Sequence, residues 1–475
     1  MGYSIHEIIQ MHNLPIVCGN QEMHEFLKKY YDDYLLKLAS ATSNNSSTDF
    51  SPNLYNKLKT DIVPKIETIC EMILETLEYE RSHNQIETRR CFFNLMSLLN
   101  ENGALRIISI LDEGVMVRIR QGKESFCRKD LFHIPYHKRH LASAQRFSIP
   151  GKPCLYLSFY PGMRLFADDM LTLSWLESGM PREYSACLFE SQEELTFLHL
   201  GKKGNTYLKE YDEAETPEIK KDRQSAIMQY LISFPLRAAC FIGIEDKAYK
   251  KATHFHNEYI IPQLLMEWVQ SSSWSGIVYQ SASAISHVSK QKSYNIAIPI
   301  KNIDPIDGYD IDLKRAFKLS EPIKINIVDK VANLKDDIKK VFDYAQRVET
   351  KIQLSKASER HPYYHLLEIC YSFISACSAL LNDSNSTVEM FFHQVNGFGN
   401  MALLINKTIA GVQTAEEWVA TYKGYTGDTS LSPNDYDDIL LGFGQVNLVI
   451  QKVRVSLYPK IMHNHIFTKP AYESL

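Results

Sequence analysis

The stretch "AQRFSIPGKPCLYLS" covers residues 144–158. Arg146 stands ahead of a Pro150-Gly151 turn, and a short apolar run follows that carries one aromatic, Tyr156. Proline followed by glycine forces the chain to reverse. An arginine beside such a turn, next to a strand, is either surface decoration or the floor of a phosphate-binding cleft. Which of the two applies depends on what lies on either side.

On either side are further runs of the same kind. "GVMVRIRQ", "CLYLSF", "YSACLFE", "ELTFLHLG", "SGIVYQS" and "YNIAIPI" read as strands. Between them, "DRQSAIMQYLISFPLRAACFIG" and "EYIIPQLLMEWVQSS" repeat apolar residues at helical spacing. Residues 109–304 are therefore expected to form a mixed domain around a central sheet. Residues 1–108 and 305–475 read as helical. In "EFLKKYYDDYLLKLAS" the expected apolar stripe is Phe26, Tyr30, Tyr34, Leu35 and Leu38. Pro64 should kink or split the next helix, and Asn102-Gly103 should end the third. Ser432 and Pro433 suit the start of a last helix. The fold class is thus α+β, a central mixed sheet flanked by two helical regions.

Composition narrows the function. The chain has 475 residues, 45% hydrophobic and 23% charged, with a formal net charge of -4. This is a globular balance, and its length predicts about two to four domains. The basic excess typical of nucleic-acid binders is missing. No apolar run approaches the ~20 residues that cross a bilayer. "MGYSIHEIIQ" lacks the pattern of a secretory signal, and His6 disfavours myristoylation. The nine cysteines show no paired CxxC spacing, so reduced thiols in the cytoplasm are expected.

The residues with chemistry cluster in the middle region. "MVRIRQ" alternates, so Arg118 and Arg120 share one strand face, opposite Val117 and Ile119. Guanidinium is a natural bidentate partner of phosphate. Tyr156 offers a ring for stacking. Glu177 ends the apolar run "LTLSWLE" behind Trp175, a setting that suits a site acid. Ser281 follows the strand in "SGIVYQSAS". Any one of these taken alone reads as ordinary surface or helix edge.

In their order along the chain, "MVRIR", "LFHIPYHKRHLASAQRFSIPGKPCLYLS", "LSWLESGMPREYSACLFE", "LTFLHLG", "EYIIPQLLMEWV" and "SGIVYQSAS" resemble the RES-domain family. Members include the toxins of Xre–RES toxin–antitoxin pairs, and the longer type with a helical, HEPN-like N-terminal region is the nearer resemblance. It covers roughly Val115 to Pro299. It implies a fold like the ADP-ribosyltransferases and cleavage of NAD at the nicotinamide–ribose bond. By the same resemblance Arg118 and Arg146 would hold the diphosphate of NAD, Tyr156 would stack, and Glu177 and Ser281 would serve catalysis. The acceptor could be water, phosphate or a protein side chain, as in a glycohydrolase, a phosphorylase or an ADP-ribosyltransferase. An antitoxin or regulatory partner and a homo-oligomer are also implied, with no metal. Asp168-Asp169 compete with Glu177 for the acid, and Val117 replaces the aromatic that often precedes the first arginine.

Other readings remain open. "RHPYYH" sets Arg360 and His365 in the pattern of HEPN ribonucleases, with histidine as general acid or base. His254, His256 and Glu258 alternate in "THFHNEY", and His463 and His465 form an HxH, both weaker signals for zinc. "NGFGNM" and "LGFGQV" lack the strand context of a dinucleotide fingerprint, and no P-loop occurs. A non-catalytic helical regulator is the third class.

Overall fold

In a computed structural model, the described residues are 3–19, 21–42, 50, 52–110, 115–124, 126–159, 167–243, 256–280, 294–355, 362–382 and 436–457, with residues 391, 416, 417, 419, 420, 433, 469 and 470 besides. All six runs expected as strands are strands. The strands, in chain order, are β1 (Ile16–Val17), β2 (Ile107–Ile110), β3 (Val115–Gln121), β4 (Cys154–Phe159), β5 (Glu183–Ser191), β6 (Leu195–His199), β7 (Ile242–Gly243), β8 (Gly276–Tyr279), β9 (Tyr294–Pro299), β10 (Phe317–Leu319), β11 (Ile323–Asn326) and β12 (Lys469–Pro470). One sheet runs β12-β10-β5-β3-β4-β9-β8-β6-β2, with β11 also paired to β5. Its pairs are antiparallel except β6 with β8, so the sheet is mixed, as expected.

Alternation gives the sheet two faces. Val115, Val117 and Ile119 face one core with Leu171 and Trp175. Met116 faces the other with Phe132, Cys187 and Phe189. Gly276 permits the tight approach of β8 to β9, since a Cβ there would sit 2.3 Å from the Ala297 carbonyl oxygen.

The N-terminal helices are α1 (Ile5–Met11), α2 (Met23–Ala39), α3 (Pro52–Lys57), α4 (Val63–Arg81) and α5 (Gln85–Glu101). Five residues of π-helix, Leu58–Ile62, separate α3 from α4, and Pro64 lies in the first turn of α4. The chain stays helical through Ile62 and Val63, and the Val63 N–H bonds the Leu58 carbonyl, so the expected distortion at Pro64 takes the form of this π-turn rather than a break. The buried stripe of α2 is Met23, Leu27, Tyr31, Tyr34 and Leu38, with Phe26, Tyr30 and Leu35 only partly buried. Of the expected stripe, Tyr34 and Leu38 are buried, and the deepest face is turned from Phe26 and Tyr30 toward Leu27 and Tyr31. The reason lies in a partner helix.

That helix is one of four that follow: α6 (Arg128–Leu131), α7 (Ala167–Glu177), α8 (Gly204–Asp212) and α9 (Pro217–Cys240). Pro235 lies inside α9 and cannot donate to the carbonyl of Leu231. The Tyr34 hydroxyl donates to that carbonyl at 3.1 Å, and Tyr31 donates to the Pro235 carbonyl at 2.9 Å. These bonds turn α2 toward α9. As a result the N-terminal helices share one apolar core with α9, helix Ile260–Ser271 and the β8–β9 side of the sheet.

Residues 305–475 are not helical throughout. β10 and β11 return antiparallel to β5, pairing Phe317 with Ser191 and Ile323 with Ala186. "FKL" and "IKIN" are interrupted by Lys and Asn, so neither shows the unbroken apolar run that marks the equally short β8, "GIVY". Helices Lys335–Ser355, Pro362–Asn382 and Tyr436–Leu457 pack on the β3–β5 side of the sheet. Ser432 and "TVEMFFHQVNGFGNMALLINKTI" apart from Phe391 lie outside the described residues.

Candidate functional site

The site begins with a row across three strands. Ser158 of β4 pairs with Asn295 of β9, which pairs with Tyr279 of β8. Directly opposed residues share a face, and this row lies on the face of Val117. Helix α7 crosses the same face. Trp175 is fully buried and donates its indole N–H to the Pro181 carbonyl at 3.0 Å, and the Ser174 hydroxyl reaches the Val117 carbonyl at 3.5 Å. The turn after α7 carries Gly179 and Met180 at positive φ. These contacts bring the exposed last residue, Glu177, over the strand row.

There the Asn295 Nδ2 donates to Glu177 Oε1 at 3.0 Å, and the Ser158 hydroxyl donates to Asn295 Oδ1 at 3.3 Å. A carboxylate can only accept, so the amide must turn its NH2 toward Glu177 and its oxygen toward Ser158. Ser158 and Asn295 are buried, 2% and 5% exposed. A buried chain of two neutral groups thus orients an exposed carboxylate.

Arg146 approaches from the other side. The turn that follows it closes with Gly151 at φ 77°, its N–H bonded to the Ala142 carbonyl at 3.1 Å. Such a φ suits glycine. Arg146 Nη1 donates to the Cys240 carbonyl at 2.9 Å and Nη2 to the Ile242 carbonyl at 2.8 Å. Its guanidinium lies 5.3 Å from the ring centre of Tyr259. Tyr279 packs on Phe147, ring centres 4.7 Å apart. Burial pushes both tyrosine hydroxyls up. The Glu177 charge adds to this at each, while Arg146 opposes it. Both charges are therefore felt at one pair of aromatic rings.

The structure brings Arg146, Tyr156 and Glu177 to one face of the sheet. Tyr156 lies one row beneath Ser158, paired with Ala297. Its hydroxyl is buried near Ser148 and the Phe147 carbonyl, without a well-formed hydrogen bond, and burial raises it well above the ordinary phenol range. Tyr156 is therefore a floor residue packed into the core beneath the row.

Arg118 is not brought to this face. It pairs with Cys187 on the opposite side and donates from Nη1 to the Phe132 carbonyl at 2.6 Å. Burial, followed by the neighbouring Arg120, pulls it down to about 10. The alternation of "MVRIRQ" was read correctly, but the arginine face is the one that α6 and Phe132 cover. Ser281, the side chains of Asp168, Asp169 and His365, and residues Arg360, His254, His463 and His465 lie outside what is described.

Sequence reading missed Ser158, Asn295, Tyr259 and Tyr279. Asn295 carried a signal, because an asparagine inside the apolar run "YNIAIPI" must find partners when buried. Tyr259 and Tyr279 carried none, since tyrosines are common throughout the chain.

Among the described residues no helix is long and apolar enough to cross a membrane. No protein-family model matches the chain, and no solved structure matches it significantly. The chain is similar to a protein of Bacillus subtilis (strain 168) named "Putative toxin YopC", 28% identical over 335 residues, which is 66% of this chain and 69% of that protein.

Proposed function

We propose that the chain is a toxin that cleaves NAD at the nicotinamide–ribose bond, using the sheet face that Glu177 and Arg146 share. The reading rests chiefly on one observation, the exposed Glu177 carboxylate held by Asn295 over the Ser158–Asn295–Tyr279 row. Cleavage of an N-glycosidic bond builds oxocarbenium character on the ribose, and a fixed carboxylate stabilises that charge. Tyr259, partly buried beside Arg146, supplies flat apolar surface for the nicotinamide. Arg146 spends two N–H donors on carbonyls and keeps the others for a diphosphate oxygen. Arg118, on the opposite face, has no part in this site, and Tyr156 supports it from beneath.

The toxin role is also supported by the name of the Bacillus subtilis relative. An antitoxin is the partner expected of such a protein, because an unrestrained NAD-consuming enzyme would poison its own cell.

Full-length protein incubated with NAD and followed by mass spectrometry tests the reading. Free nicotinamide should appear together with ADP-ribose, with a phosphorylated ADP-ribose when phosphate is added, or with a modified protein. These products separate the three acceptors. If NAD comes through unchanged while cellular RNA is cut, the proposal fails in favour of a ribonuclease.

A further inference from the structure

A cavity lies where α8, α9 and the start of β2 meet, and neither Glu177 nor Arg146 lines it. Arg106, Tyr207, Gln229, Tyr230, Ser233 and Arg237 line it, and its volume is about 370 Å³. That is within the usual range for small-molecule sites.

Its charge is unbalanced. Arg237 is 1% exposed, yet its partners are all neutral. Nε donates to Ser233 Oγ at 3.1 Å, Nη1 to the carbonyls of Leu200 at 2.6 Å and Lys202 at 3.4 Å, and Nη2 to the His199 carbonyl at 3.2 Å. A guanidinium has five donors, so these four bonds leave one Nη2 hydrogen over. Arg106 is half-buried, and its guanidinium lies over Tyr207, 5.4 Å from the ring centre. Among the described residues it makes no ion pair or side-chain hydrogen bond. Its backbone is fixed, since its carbonyl accepts from His199 N at 2.8 Å. Lys202 sits over the same ring at 4.4 Å and pairs with Glu210, which Arg223 also claims at 3.2 Å. Burial first, then Arg237 and Arg106, pull His199 down to about 3, so the positive field reaches beyond the cavity. Buried charge without a counter-charge is costly, and an anionic ligand would relieve the cost.

We infer that this cavity binds a phosphoryl group, either inorganic phosphate or the phosphate of a small monoester, between the guanidinium groups of Arg106 and Arg237. Two guanidinium groups at one cavity match the oxygens of a phosphate better than lysines would. The cavity is independent of the Glu177 site and does not require NAD cleavage.

Isothermal titration calorimetry of the full chain with inorganic phosphate and with AMP tests it. Saturable binding is expected. Arg106→Gln should weaken it about tenfold or more, the effect of one lost charge-assisted hydrogen bond, and Arg106→Lys by less. AMP binding much tighter than phosphate identifies a monoester as the ligand, and equal affinities identify the free ion. If neither probe saturates in the millimolar range, or if Arg106→Gln binds unchanged, the site is not where the geometry puts it. Arg106 is half-exposed, so a thermal melt of Arg106→Gln within a few degrees of wild type excludes misfolding as the cause of lost binding.

Discussion

Glu177→Gln separates catalysis from architecture at the site. Glutamine keeps the length of the side chain and a carbonyl oxygen, so it can still accept from Asn295 Nδ2, which now lies 3.0 Å from Glu177 Oε1. What disappears is the negative charge. For a group placed against developing charge, such a loss costs ~3–4 kcal/mol of transition-state stabilisation. At 1.36 kcal/mol per decade this lowers kcat by about 150- to 900-fold. The structural cost is small, because Glu177 is exposed and the bond to Asn295 is retained in neutral form. A change of about 0.5 kcal/mol or less in stability is expected for such a surface site. NAD affinity should change little, since the carboxylate acts chiefly in the transition state. Steady-state release of nicotinamide, calorimetric NAD binding and a urea melt give the three readouts. A kcat within about fivefold of wild type would mean that the carboxylate is not opposite the developing charge. In that case Asp168→Asn with Asp169→Asn should be measured next, and a large loss there would move the acid to that pair.

Other perturbations test separate parts of the structure. Asn295→Asp sets a second carboxyl against Glu177 in place of the amide bond; a like charge raises carboxyl pKa values, so the acidic limb of the kcat/KM profile should move to higher pH, and an unshifted limb would show that Asn295 does not position Glu177. Arg146→Lys should weaken NAD binding and also lower the melting temperature, because lysine cannot reach both the Cys240 and Ile242 carbonyls, whereas Arg118→Lys, on the opposite face, should melt earlier but bind NAD as the wild type does; equal NAD losses in both variants would refute this assignment of faces. His133 accepts from Asp310 N at 2.9 Å and bonds the Ile134 carbonyl through Nδ1 at 2.9 Å, which fixes a neutral ring, and burial holds it down at about 4. The unfolded chain takes up this proton near pH 6.5 and the native one only near 4, so stability is intact above pH 6.5 and falls as the pH drops toward 4. The loss reaches about 2 kcal/mol at pH 5, read from urea midpoints, and a flat profile between pH 7 and 5 would contradict the buried neutral ring.

Local pattern made much of this fold legible. Strands β3, β4, β5, β6, β8 and β9 were readable because each shows alternation or an unbroken apolar run, even the four-residue β8. β10 and β11 were not, because their interrupted runs gain meaning only from pairing with β5, far away in sequence. The burial stripe of α2 was readable only in part. Its phase is set by carbonyls of α9, one of them left open by Pro235, and no property of α2 itself records them.

The same division runs through the site. A strand reveals which residues share a face, but not which face will carry the site. In β3 that choice falls to Leu171 and Trp175 of α7, which take the side of Val117, and to Phe132, which takes the side of Arg118. Once α7 lies on the Val117 side, Glu177 meets the face that β4, β8 and β9 present there, where Asn295 donates to it. Arg146 reaches that side through a different constraint, the Pro150-Gly151 turn and the two carbonyls at the end of α9 and in β7. The arginine beside the turn is therefore neither loose surface decoration nor a free phosphate anchor. It ties the end of α9 to the loop that leads into β4 and, from that fixed position, presents its remaining donors beside Tyr259.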